Sequence, residues 1–299
     1  MRVFVTGATG FVGSAVVKDL IEAGHQVLGL TRSEEGATEL TAAGAEVHRG
    51  TLEDLDSLKS GAAACDAVIH TAFIHDFSKF KESCEWDRNV VAALGEALAG
   101  TNKPLIVTSG TGLASSVQGE VAVESNVVNA QTTHHPRLAS EEAVAALLTK
   151  GVNASVMRLP PSVHDKGDHG FVPILIGIAR EKGVSAYIND GNNRWPAVHR
   201  LDAARLYRLA IEKGEPATYH AVGDTGVPTR QIAEVIGKHL NLQVKSITPE
   251  EATDHFGWFA GFFGWDVPAS GQLTQERLNY QPNHIDLIAD LEEGHYFEK

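Results

Sequence analysis

The run Thr6-Gly7-Ala8-Thr9-Gly10-Phe11-Val12-Gly13 follows a β-branched segment, Arg2–Thr6, and leads into an apolar-periodic stretch, Val12–Ala23. Glycines spaced GxxGxxG between a strand and a helix restrict the fold more than any other feature of this chain. Gly7 permits a tight turn, Gly10 lets a ligand phosphate approach the backbone, and Gly13 lets the helix pack closely on what precedes it. The helix start then presents free N–H groups and the positive end of a dipole to an anion. The pattern predicts a βαβ unit that cradles a dinucleotide pyrophosphate, with Gly7, Thr9, Gly10, Phe11, Val12 and Gly13 as its contacts.

The rest of the first half keeps that rhythm. Short strand-like runs at Gln26–Thr31, Ala45–His48, Ala67–His70, Leu105–Thr108 and Ala154–Arg158 alternate with amphipathic stretches such as Arg137–Lys150. Gly24 and Gly151 stand where helices stop. Alternation of this kind predicts an α/β fold, a Rossmann-type doubly wound parallel sheet. After about residue 160 the rhythm is irregular, with helical patterns at Asp202–Lys213 and Thr229–Leu240 and an aromatic, glycine-rich segment at His255–Trp265. The expected organisation is a dinucleotide-binding domain over 1–160 and a smaller, mainly substrate-binding part over 161–299, with 197–225 returning to the first domain.

Charge and cysteine usage narrow the function classes. With 25 Lys+Arg against 38 Asp+Glu the formal net charge is −13, which argues against a protein that neutralises nucleic-acid phosphates. The longest apolar stretch, 171–179, is far short of the ~20 residues of a membrane helix, and the N-terminus lacks the layout of a signal peptide. Cys65 and Cys84 form no framework and suit a reducing cytoplasm. His164, His169 and His199 with Asp165 and Asp168 fit no zinc spacing, so no metal is expected. The expected partner is a small-molecule substrate, with neither nucleic acid nor membrane.

The glycine-rich run resembles the signature of the extended and atypical short-chain dehydrogenase/reductase superfamily, the NAD-dependent epimerase/dehydratase group. Val68-Ile69-His70-Thr71-Ala72, Val107-Thr108-Ser109, Arg158-Leu159-Pro160-Pro161-Ser162-Val163-His164 and Ala197-Val198-His199-Arg200-Leu201-Asp202 resemble its later motifs. The resemblance implies that Thr71, Ala72 and Phe73 flank the cofactor, that Pro160 and Ser162 belong to the loop covering the nicotinamide, and that Leu52 is the apolar wall for adenine. It also implies a role for Ser109 in hydrogen-bonding the reacting carbonyl, and dimerisation is common for this fold. NAD-selective sites end the second strand with an acid, whereas Leu30-Thr31-Arg32-Ser33 places Arg32 there. A guanidinium would pair with a 2′-phosphate, so the expected cofactor is NADP(H).

One departure stands out. Chemistry in this superfamily normally uses a YxxxK pair, yet none of Tyr187, Tyr207, Tyr219, Tyr280 and Tyr296 is followed by Lys four residues on. Counted back from Glu141, Arg137 falls on the lysine position and Thr133 on that of the tyrosine. Arg137 can offer donors to ribose hydroxyls but does not exchange protons. His134, His135 or water would supply the proton. Phe73, Phe77, Trp195 and the aromatics of 256–265 suggest an apolar pocket wall. The expected function is NADPH-dependent reduction of a carbonyl or activated double bond of a small hydrophobic molecule, with Ser109, His134, His135 and Arg137 as catalytic residues. The alternatives are a non-catalytic NADP-binding sensor or partner protein and an NAD(P)-dependent epimerase or isomerase.

Overall fold

The computed structural model describes residues 1–298 except 116 and 118, and the side chain of Phe77 lies outside the described residues. Seven parallel strands form the main sheet: β1 (Arg2–Thr6), β2 (Gln26–Thr31), β3 (Glu46–Arg49), β4 (Ala67–His70), β5 (Leu105–Gly110), β6 (Ala154–Leu159) and β10 (Thr218–His220). Their spatial order is β10-β6-β5-β4-β1-β2-β3, so the chain winds outward in both directions from the β1–β4 neighbours. This is the doubly wound parallel arrangement that the alternating pattern predicts.

Each strand supplies both faces. Val3 and Val5 of β1 point into one core with Val16 and Leu20 of α1 (Phe11–Glu22). Phe4 points the other way, into a second core. That layer is closed by α3 (Leu55–Ala63), α4 (Phe80–Leu98) and α5 (Leu138–Thr149), while α2 (Glu34–Ala42) links β2 to β3. Burial on both faces requires continuously apolar strands, which is why these runs read as Val/Ile-rich rather than alternating.

Past β6 the chain is more regular than its sequence suggests. It contains β7 (Ser162–His164), α6 (Phe171–Lys182), β8 (Val184–Ile188), β9 (Arg194–His199), α7 (Arg200–Lys213), β11 (Asp224–Pro228), α8 (Thr229–Leu240) and β12 (Gln243–Ile247). Helix α7 packs on α1, and β10 pairs with β6 at the sheet edge. The remainder makes a three-stranded sheet in the order β11-β9-β7 and a β8–β12 pair. A third core, with Val172, Ile176, Trp195, Ile232, Phe259 and Phe263, holds this part together. The aromatic segment folds as α9 (Pro249–Phe256), a 3-10 turn and α10 (Ala260–Phe263), followed by α11 (Gln272–Leu278) and α12 (Leu287–Glu292). Among the described residues no helix is long and apolar enough to cross a membrane.

Candidate active site

The site begins at the C-terminal end of β1. Gly7 has φ +68°, and a Cβ there would lie 2.7 Å from the Ala72 nitrogen. A Cβ on Gly13 would lie 2.0 Å from the Gly7 carbonyl oxygen, so Gly13 is the contact that lets α1 close on the turn. Gly10 caps α1 with no side chain on the orphan N–H groups and no acid in the first turn. An added Cβ at Gly10 would meet only the Gly7 carbonyl, at 3.2 Å. Thr9 and Gly10 are exposed, Phe11 and Val12 half-buried. An uncompensated helix start behind a rim without side chains fits a phosphate.

The neighbouring loops are pinned to this turn. Thr71 Oγ1 donates to the Thr6 carbonyl at 2.7 Å, which seats Thr71, Ala72 and Phe73 beside Gly7. On the β2 side, Gly36 lies against Thr9 and Thr31, and Ser33 caps α2. Arg32 is exposed and makes no ion pair with a described residue, whereas the nearby acid Glu34 is engaged by Arg49 of β3. Leu52 is half-buried, its carbonyl accepting from Trp86 Nε1 at 3.1 Å. Pro160 is buried, and the buried Ser162 Oγ has no hydrogen-bond partner among the described residues.

Where tyrosine and lysine would act, the structure holds a charged network. The Arg137 guanidinium donates to Asp87 Oδ2 at 2.6 Å, to Ser140 Oγ and to the Thr108 carbonyl at 2.8 Å. It also stacks 4.2 Å over the Phe73 ring. Asp87 in turn accepts from His70 Nε2 at 2.9 Å, and His70 Nδ1 lies 2.7 Å from Thr6 Oγ1. Burial alone would raise the Asp87 carboxyl, but His70, Arg137 and Ser140 outweigh it and hold the group far below the carboxylate range. Arg137 is therefore an anchored strut, held through NH1 and NH2. Neither Asp87 nor His70 received a role from the sequence. The available signal was an acid at position 87 on the apolar face that carries Cys84, Val90 and Val91, since a buried charge demands a partner.

Ser109 corrects the sequence expectation. It is 5% exposed, and its hydroxyl donates to Glu141 Oε1 at 2.7 Å. Glu141 is also clamped by Arg158, through Nε at 2.9 Å and through NH2 at 2.8 Å. Ser109 pairs in register with Arg158 across β5 and β6, so both face the same buried ion pair. In this arrangement the hydroxyl proton is directed to Glu141 rather than outward.

The two histidines separate. His134 is exposed, whereas His135 is half-buried, with ring centroids 5.6 Å from Phe80 and 6.3 Å from Trp265. Burial, then the Arg137 charge, lowers the His135 pKa. His75 lies in the same wall, 5.2 Å from Phe73, and is lowered by the same two causes. A Cβ on Gly112, just past β5, would approach the Trp265 ring at 3.5 Å. Phe11 meets His169 at 5.8 Å and carries the Arg200 guanidinium at 4.7 Å, with Arg200 paired to Asp165 at 3.1 Å. The result is a cluster of aromatic rings between the glycine turn and the start of α5. Of the aromatics expected in a pocket wall, Trp195, Phe256, Phe259 and Phe263 are buried in the third core, and Trp258 is exposed. Tyr207 reaches the back of the site, 2.6 Å from Thr108 Oγ1, but it is fully buried and its phenol is pushed well up. The only metal-competent grouping among the described residues, Asp290, Glu293 and His295, lies elsewhere.

Comparison with known proteins agrees with this architecture. The sequence profile of the NAD dependent epimerase/dehydratase family matches residues 3–222. An uncharacterized protein of Schizosaccharomyces pombe is 52% identical over 298 residues, covering 99% of this chain and 100% of the relative. One from Saccharomyces cerevisiae is 45% identical over 294 residues, covering 97% and 98%. A solved dTDP-glucose 4,6-dehydratase, DesIV of Streptomyces venezuelae, superposes with a TM-score of 0.76 at 19% identity, covering 99% of this chain and 97% of that one. More distant relatives include both epimerases and reductases.

Proposed function

The chain belongs to the NAD dependent epimerase/dehydratase family, and from that premise we propose that it is an NADPH-dependent oxidoreductase. Its substrate is the carbonyl, or an activated double bond, of a small apolar organic molecule. The observation that carries this reading is the cluster of aromatic rings, Phe73, Phe80, His135 and Trp265, that follows from the glycine turn through Ala72 and Phe73. Apolar walls with a few polar groups suit an organic ligand.

The unpaired Arg32 at the end of β2, with Glu34 occupied by Arg49, favours a 2′-phosphate over a bare ribose hydroxyl. Gly7, Thr9, Gly10, Phe11, Val12 and Gly13 would hold the pyrophosphate, with Thr71, Ala72, Phe73, Pro160 and Ser162 around the reactive end and Leu52 toward adenine. When bound, the reduced nicotinamide supplies a hydride. The buried free thiols Cys65 and Cys84 favour a reducing cytoplasm.

The test is NADPH oxidation by the purified protein against aliphatic and aryl ketones, aldehydes and enones, with UDP-glucose in parallel. Consumption driven by an apolar carbonyl supports the reading. Tight NADPH binding with no turnover on any carbonyl overturns it in favour of a non-catalytic sensor, and conversion of UDP-glucose overturns it in favour of an epimerase.

A further inference from the structure

We propose that His135, as a neutral imidazole donating through Nε2–H, holds and polarises the substrate carbonyl oxygen, in a chain that has no YxxxK tyrosine and turns the Ser109 hydroxyl toward Glu141. The proposal rests on the reductase reading and adds to it the residue that meets the reacting oxygen.

The tautomer follows from a single hydrogen bond. The backbone N–H of Arg137 donates to His135 Nδ1 at 3.2 Å. A backbone N–H can only donate, so Nδ1 is an acceptor and the ring proton sits on Nε2. An imidazolium would turn Nδ1–H against that N–H, so the local backbone opposes protonation. Burial and Arg137, the charged group that acts on the ring, oppose it further.

Placement follows from the neighbours. The His135 ring is stacked on Trp265 at an interplanar angle of 26° and meets Phe80 nearly edge-on at 71°. Its backbone N–H is tied to Thr133 Oγ1 at 3.2 Å. Nε2 has no hydrogen-bond partner among the described residues and is not among their buried unpaired atoms. Two residues on, Arg137 lies over Phe73, which follows the Ala72 that abuts Gly7. Arg137 and Phe73 thus link the segment that carries the donor to the glycine turn.

The chemistry balances without a protein acid. With a dihydronicotinamide as the two-electron reductant, itself oxidised to the nicotinamide, hydride would add to the carbonyl carbon, the C=O electron pair would move onto oxygen, and Nε2–H would meet the growing negative charge. The alkoxide then takes a proton from water, releasing hydroxide. Neutral imidazole serves as an electrophile of this kind in other enzymes. A donor that does not need to be cationic remains competent throughout the neutral and alkaline range.

The test combines ¹⁵N-imidazole NMR of the full chain with kinetics of His135→Phe and His135→Gln. His135 should carry its proton on Nε2 at pH 7, and acetophenone should shift that resonance in the cofactor-free protein. His135→Phe should lose about 100- to 1000-fold in kcat, the scale for one preorganised donor, with NADPH affinity unchanged. Gln, whose amide also donates, should recover part of the loss, and the wild-type rate should stay flat as pH rises above 7. A proton on Nδ1, an imidazolium at pH 7, no shift with acetophenone, or wild-type kcat in His135→Phe would each overturn the proposal. If wild type turns over no carbonyl while acetophenone still shifts Nε2–H, the reductase reading fails and the donor assignment stands.

Discussion

Asp87→Asn keeps the shape of a buried side chain and removes the charge on which the site network depends. The Asp87 side chain is 2% exposed and accepts from His70, Arg137 and Ser140. The Arg137 side chain, 13% exposed, would be left without its counter-ion. Breaking one side of a buried pair costs about 3–5 kcal/mol. Arg137 retains the Thr108 carbonyl and the Phe73 face, which places the expected loss near the lower end, about 3 kcal/mol. It should be read as a lower urea midpoint at unchanged slope at pH 7. Adding Arg137→Met removes the orphaned charge, so the double variant should recover most of the loss. The pH dependence has a definite sign. Because the folded Asp87 pKa lies below the unfolded value of about 3.9, its stabilisation is complete above about pH 4 and is lost as pH falls from there toward the folded value. Wild type should therefore lose stability more steeply than Asp87→Asn below about pH 4, and the gap between them should narrow. A single variant within about 1 kcal/mol of wild type, or a double variant no better than the single, would refute the assignment of Arg137 as an anchored strut.

Three further outcomes follow from the same geometry. Arg32→Ala should weaken NADPH by about one to two decades, the worth of a charge-assisted pair of ~1.5–3 kcal/mol, and leave NADH affinity unchanged in parallel titrations; equal losses for both would remove Arg32 from the 2′-phosphate. Gly10→Ala should abolish dinucleotide binding in a folded protein, because its Cβ meets only the Gly7 carbonyl at 3.2 Å, whereas Gly13→Ala, at 2.0 Å from the same atom, should also lower the melting temperature. Calorimetry on the two variants separates these effects, and normal binding by Gly10→Ala would move the phosphate elsewhere. Ser109→Ala should cost about 1 kcal/mol of stability, one hydrogen bond to Glu141, with kcat unchanged; a fall of two decades in kcat would return Ser109 to the substrate.

Local chemistry made the fold legible, and distant pairing hid much of the site. Gly24, at φ +84°, ends α1 where a glycine after an apolar period should end it. The strands of the first half lie within two residues of their apolar runs because burial on both faces leaves a continuous signal. The second half escaped that reading because its sheets are short and paired far along the chain, as β8 is with β12. Ser109 sits at the expected end of β5, but side chains alternate along a strand, and the partner it meets is set by Arg158 on β6 and Glu141 on α5. Arg137 was recognisable by spacing, whereas the Asp87 that immobilises it lies 50 residues earlier. Between the adjacent His134 and His135, only the turn into α5 determines which ring enters the wall and which stays in solvent. The absent YxxxK tyrosine reads in one dimension as a lost function. In three dimensions its neighbourhood holds an oriented imidazole, a fixed guanidinium and aromatic walls. The backbone N–H of Arg137 that meets His135 Nδ1 and the Arg137 guanidinium that pairs with Asp87 belong to one three-residue segment, so the turn into α5 sets both the orientation of the ring and the position of the anchoring charge.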